Sequence, residues 1–187
     1  MILLVGLGNP GNAYEETPHN IGRAIVRRFA ENAGLAPFAS EERFEALISA
    51  GTFRQTRIIT ALPETFMNNS GQTVARLATF YKIPAKDIWI VHDEADIPLQ
   101  HVRIARDARS AGHRGVESII EALGTKDFWR IRCGIKPASP IDMPLEAYVL
   151  KKRAIGGETE TRIIEKAVLL IASAIDNGIE ETAQQAD

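Results

Sequence analysis

Cysteine is almost absent: one residue, Cys133, in a chain of 187. An internal disulfide framework is therefore excluded, and this usage fits a reducing, cytoplasmic setting. No apolar run approaches the ~18 residues needed to cross a bilayer. The opening Met1-Ile-Leu-Leu-Val-Gly6 lacks the basic start of a signal peptide and reads as a first strand. There is no Gly-x-x-x-x-Gly-Lys-Ser/Thr to cradle a nucleotide, no Gly-x-Ser-x-Gly to raise a serine nucleophile and no His-Glu-x-x-His to hold zinc. Asp93-Glu-Ala-Asp96 spells a helicase motif, but nothing accompanies it to bind a nucleotide. Strong overall charge is missing too, and a net charge of -2 does not advertise nucleic acid.

What remains is ordinary in bulk. Hydrophobic residues make up 45% and charged residues 25%, enough for one domain over 1–187 with a sizeable core. Short apolar runs at Ile2–Leu7, Asp87–His92 and Trp129–Ile135 read as buried strands. Phe44–Ala50 and Arg57–Leu62 read as a strand pair, and Val102–Ala105 as a further short strand. Helical spacing predicts helices over Ile21–Asn32, from Asn69 or Ser70 to about Lys82, and over Val116–Leu123, Leu145–Arg153 and Glu158–Asn177. Strands alternating with helices argue an α/β fold with a mostly parallel or mixed sheet. The end, 178–187, is expected to fray.

Charge is unevenly spread. Between His101 and Lys136 there are eight Lys/Arg against four Asp/Glu, a local excess of four positive charges. Such a stretch is either a solvated face or a surface for phosphates.

Three segments carry chemistry. Gly6-Leu-Gly-Asn-Pro-Gly11 has the spacing of a dinucleotide-binding turn. However, Pro10 removes a backbone donor there, and no acidic residue closes a second strand about 20 residues later. A structural turn that displays Asn9 is the better reading. His19 follows Thr17-Pro18 at a helix start, where a histidine serves as a cap, a packing residue or a base. Asp93 stands at the C-terminal end of a predicted strand, where α/β folds place their sites. An aspartate bonded to one ring nitrogen would leave the other free to act as base. Asn9, Asn20, Asn68 and Asn69 add uncharged donors. His92 to Asp96 also reads as a metal-ligand run, but no second His/Cys cluster has usable spacing. Ser110-Ala-Gly-His-Arg-Gly115 opens a helix, and there His113, Arg114 and backbone donors suit either a phosphate or a capped turn.

Val5-Gly-Leu-Gly-Asn-Pro-Gly11 with Tyr14 and His19-Asn20-Ile21-Gly22, Pro63-Glu-Thr-Phe-Met-Asn-Asn-Ser-Gly71, His92-Asp-Glu-Ala-Asp-Ile-Pro98 and Gly112-His113 with Gly115 together resemble the bacterial peptidyl-tRNA hydrolases. The resemblance spans nearly the whole chain. It implies a twisted mixed sheet wrapped by helices, a monomer, and hydrolysis of the ester joining peptide to tRNA, without metal or cofactor. By motif, His19 is the base and Asp93 its orienting carboxylate, Asn9 and Asn68 are substrate or oxyanion contacts, and Tyr14 and Met67 wall the groove for peptide and CCA end. Asn20, His113 and Arg114 join the candidate substrate contacts. Arg103, Arg106, Arg109, Arg130 and Arg132 are the candidates for the acceptor-stem phosphates. Two positions depart from the family: Pro18 stands where it usually has Arg, and Arg114 where it usually has Asn, which suggests a phosphate or carbonyl clamp in place of an amide contact. The alternative on the same fold is a non-catalytic RNA-binding factor; a small-molecule esterase fits the basic stretch poorly.

Overall fold

The computed structural model describes residues 1–185. Its first strand, β1 (Ile2–Gly6), is apolar on both faces, as expected inside a parallel sheet. β1 lies between β4 (Thr56–Pro63) and β5 (Ile88–Pro98), parallel to both, and β5 runs parallel to β7 (Trp129–Lys136). Antiparallel strands finish the margins: β3 (Ala46–Phe53) and β2 (Ala39–Glu41) beyond β4, and β6 (Val102–Arg106) beyond β7. The sheet has seven strands in the order β2-β3-β4-β1-β5-β7-β6. The mixed sheet expected from the sequence is thus parallel in its interior and antiparallel toward its edges.

Period-two alternation sends neighbouring side chains to opposite faces. Leu4, Val91 and Ile131 join α1 (Ile21–Asn32) and α5 (Gly157–Asn177) through Ile25, Phe29, Ile163 and Ile171. Leu3, Val5 and Ile90 join α2 (Ser70–Tyr81) and α3 (Arg114–Leu123) through Val74, Leu77, Val116 and Ile119. Each such buried side chain contributes about 1.5–3 kcal/mol of transfer free energy, so two apolar layers hold a helix–sheet–helix sandwich. The short α4 (Leu145–Val149) joins the first of these layers through Tyr148, which is buried and donates from its hydroxyl to Ile135 O at 3.0 Å. Among the described residues no helix is long and apolar enough to cross a membrane.

Several elements differ from the sequence reading, among them α4, which ends at Val149 rather than Arg153. β5 does not stop at His92 but continues to Pro98, with a register shift against β7 between Glu94 and Pro98. The expected strand pair Phe44–Ala50 and Arg57–Leu62 runs further into the connection, to a tight turn in which Arg54 and Gln55 both have positive φ (48° and 67°), the geometry that matches strand twist. The segment expected to fray forms α6 (Ile179–Gln185), with Thr182 buried; residues 186 and 187 lie outside the described residues.

One close approach fixes the start of α1. Leu7 N donates to Val91 O at 3.0 Å, and Arg23 N donates to Leu7 O at 3.1 Å. A Cβ on Gly22 would overlap the Val91 carbonyl oxygen and come within 2.9 Å of Leu7 N and O. All of these atoms are backbone, so the clash cannot be relieved by a rotamer. Gly22→Ala is expected to destabilise by about 2 kcal/mol or more, lowering Tm by roughly 4–8 °C in a thermal unfolding scan; an unchanged Tm would mean that the contact is not rigid.

Candidate active site

The parallel strands β1 and β4 end at the same edge, beside the middle of β5, and the connections there surround a cleft of about 420 Å³. The loop after β1 supplies Asn9. A 3₁₀ turn over Pro18–Asn20, started by Pro18, supplies His19, and a second over Met67–Asn69 supplies Met67 and Asn68. Asp93 comes from within β5, and His113 from the residue before α3.

Asp93 is 3% exposed. Its Oδ1 receives His19 Nδ1 at 2.8 Å and His113 Nε2 at 2.9 Å. Burial pushes the carboxyl pKa up, but the two imidazoles, by charge and hydrogen bonding, outweigh that and hold it well below the usual carboxylate range. With Nδ1 engaged by Asp93, His19 has Nε2 left for the cleft, the arrangement of an oriented base. His113 has its other nitrogen committed as well: Nδ1 accepts from Gly115 N at 3.2 Å and Val116 N at 3.3 Å, capping α3. α3 can seat so closely because residue 115 is glycine; a Cβ there would overlap the Met67 sulfur.

The carboxamides divide into a presenter and a support. Asn20 Oδ1 accepts from Asn9 N at 2.8 Å, and Asn20 Nδ2 donates to Asn9 O at 2.9 Å, so both of its amide atoms grip the Asn9 backbone. Asn9 Oδ1 in turn accepts from Met67 N at 2.9 Å. That bond fixes the orientation of the Asn9 amide and leaves its NH₂ as the donor on the cleft wall. Asn68 is exposed and lines the same cleft.

His19, Asp93 and His113 present ligand atoms within 4.8 Å of one another, compact enough to suggest a metal. The outer bonds argue otherwise. A metal-bound histidine ordinarily donates its second ring N–H outward, whereas His113 Nδ1 accepts two backbone N–H groups and so leaves the hydrogen on Nε2, aimed at Asp93. The donor set suits a hydrogen-bonded triad.

The sequence profile described as peptidyl-tRNA hydrolase matches residues 3–187. The chain belongs to the peptidyl-tRNA hydrolase family. It is 37% identical over 185 residues to the peptidyl-tRNA hydrolase of Thermoanaerobacter sp., covering 96% of each chain. It is 40% identical over 176 residues to that of Ehrlichia chaffeensis, covering 90% of this chain and 87% of the relative. Among solved structures, the peptidyl-tRNA hydrolase of Acinetobacter baumannii superposes with a TM-score of 0.85 at 29% identity, over 100% of this chain and 92% of the other.

Within this hydrolase family member, the residues singled out from the sequence separate into groups. Asn9, His19, Met67, Asn68, Asp93, His113 and Arg114 all border the cleft. Asn20 does not; it is buried behind Asn9. Tyr14 stands back from the cleft, edge-on to Phe66 with ring centroids 6.3 Å apart, and Phe66 itself is an exposed part of the wall. The backbone donors of α3 expected to suit a phosphate are instead taken by the His113 ring.

The arginines divide as well. Arg103 and Arg109 are exposed, and Arg132 is half-buried and paired with Glu94 at 3.0 Å. Arg106 is engaged by Asp127 at 2.6 Å and Glu180 at 3.2 Å. Arg130, expected to meet phosphate, is only 1% exposed and donates from Nη1 to Arg109 O at 2.7 Å, so it braces the loop from inside. Sequence reasoning missed Leu145 and Leu150, exposed apolar residues in and just after α4 that form a wall of the cleft. No local signal marks them, because a short helix acquires this role only by where the chain returns.

His92 lies behind the triad, fully buried, with Nδ1 donating to Asp93 O at 2.7 Å. Burial, reinforced by neighbouring His113, holds its pKa well below 6.5. Below that ordinary value the unfolded chain binds a proton that the folded chain does not, so stability falls as pH drops under about 6.5. Between about pH 7 and 5 the Tm of the wild type is expected to fall further than that of His92→Asn; equal falls would exonerate His92.

Proposed function

We propose that this chain hydrolyses the ester between peptide and tRNA ribose, releasing free tRNA for reuse in translation in the cytoplasm, and that it does so as a single-domain monomer. The observation that carries the mechanism is the 2.8 Å contact of His19 Nδ1 with buried Asp93, in a cleft that also holds the oriented amide of Asn9. His19 Nε2 takes a proton from water as the oxygen attacks the ester carbonyl, a step worth roughly 10²- to 10⁴-fold. Asn9 and Asn68 NH₂ groups donate to the resulting oxyanion. Collapse breaks the carbonyl–ribose bond, and the proton held on His19 passes to the leaving ribose hydroxyl. Met67, Phe66, Leu145 and Leu150 supply an apolar wall for the peptide and the CCA end. A purely RNA-binding role would leave the aligned His19, Asp93 and Asn9 without a use.

The acceptor stem is read through Arg103, Arg109 and Arg132. Arg103 and Arg132 are direct cross-strand partners on β6 and β7. Glu94 already compensates Arg132 from inside, which leaves exposed Arg103 beside it as the cation that supports a phosphate there. Arg114, exposed at the cleft rim with no ion pair among the described residues, acts as a clamp on phosphate or carbonyl oxygen.

Incubating the protein with N-acetyl-aminoacyl-tRNA in EDTA should release deacylated tRNA, and His19→Ala should release about 100-fold less or worse. Wild-type turnover by His19→Ala would sink the mechanism. Arg103→Ala should reduce the slope of log(kcat/KM) against log salt by about one; an unaltered slope would remove Arg103 from the RNA interface.

A further inference from the structure

We propose that His113 is a positioning residue of the hydrolysis: set by the N-terminus of α3 as the Nε2–H tautomer, it holds the one Asp93 oxygen that orients His19. This inference rests on the assignment of His19 as base.

The tautomer follows from bonding. Two backbone N–H groups, of Gly115 and Val116, point at Nδ1, so that nitrogen carries a lone pair and the ring hydrogen sits on Nε2. Nε2 then donates to Asp93 Oδ1, the same oxygen that receives His19. With one nitrogen committed to the helix and the other to the carboxylate, His113 offers no acceptor to water, and the base is His19 alone.

The ring is also immobilised. It lies between His19 and His92, with centroids 4.8 Å and 4.7 Å away. The preceding turn is closed by His113 N donating to Ser110 O at 3.0 Å and passes through positive φ at Ala111 and Gly112. Arg130, buried, secures that turn through the Arg109 carbonyl. A carboxylate held by one donor can turn about its terminal torsion, whereas a second donor at a fixed angle stops it. The orientation of His19, and with it the aim of Nε2 into the cleft, therefore depends on a helix end that carries no reacting atom.

His113→Asn separates the two tasks. A carboxamide is a good helix cap, but it is too short to reach Asp93. This variant is expected to keep KM near wild type and to lose less Tm than His113→Ala, which also loses the cap, while kcat falls about tenfold, the scale of one charge-assisted hydrogen bond. His113→Ala should lose both kcat and stability. Wild-type kcat in His113→Asn would overturn the proposal, as would a raised KM with unchanged kcat, which would make His113 a substrate contact instead. If His113→Asn folds poorly, the imidazole ¹⁵N spectrum of the wild type decides: an unprotonated Nδ1 and protonated Nε2 at His113 are expected, and the reverse tautomer would overturn the inference. His19→Ala, assayed alongside, keeps the two ideas apart. An inactive His19→Ala with a fully active His113→Asn defeats only the role of His113, whereas an active His19→Ala defeats the base assignment itself.

Discussion

A carboxylate buried in the middle of the sheet is the constraint around which this molecule is arranged. An ionised carboxylate taken out of water without partners is too costly to keep. Asp93 keeps its charge because a histidine reaches it from each side: His19 from the turn leading into α1, and His113 from the turn leading into α3. Those helices cover opposite faces of the sheet. The same oxygen therefore ties both helical layers to β5, and any loosening of either layer is felt at His19.

The neutral groups are set with equal economy. Asn20 spends both amide atoms on the Asn9 backbone, and Asn9 spends its oxygen on Met67, so one NH₂ remains to face the cleft. Such a donor needs no reorganisation when charge develops, which is where most electrostatic catalysis originates. The Asn20 side chain never reaches the cleft, yet it decides where the donor points.

The sequence was most legible where pattern is local. β1, α1 and α5 follow from apolar periodicity, and their observed bounds lie close to the expected ones. β5 was cut short because Asp93, Glu94 and Asp96 interrupt its apolar run; the strand continues because Glu94 pairs with Arg132 on β7 and Asp93 with two histidines. The Arg54-Gln55 turn lacks the Gly or Asn that usually announces it, and the polar α6 announces only a tail. Within the site, residue types and motif order identified the cleft and the His19–Asp93 contact, but not the second bond of Asp93 to His113 or the grip of Asn20 on Asn9. Arg130 and Arg132 are two residues apart with the same charge, yet one is fully interior and the other half-buried. Counting charge along a chain treats them alike, because burial is settled by a loop 21 residues away in sequence.

The imidazole seated on the end of α3 has one more consequence. In many folds the first turn of a helix is an open invitation to any phosphate that passes. Here two of those N–H groups are already occupied by the chain's own ring. A passing phosphate would find that seat taken. An anion that enters the cleft therefore finds no open helix end beside His19.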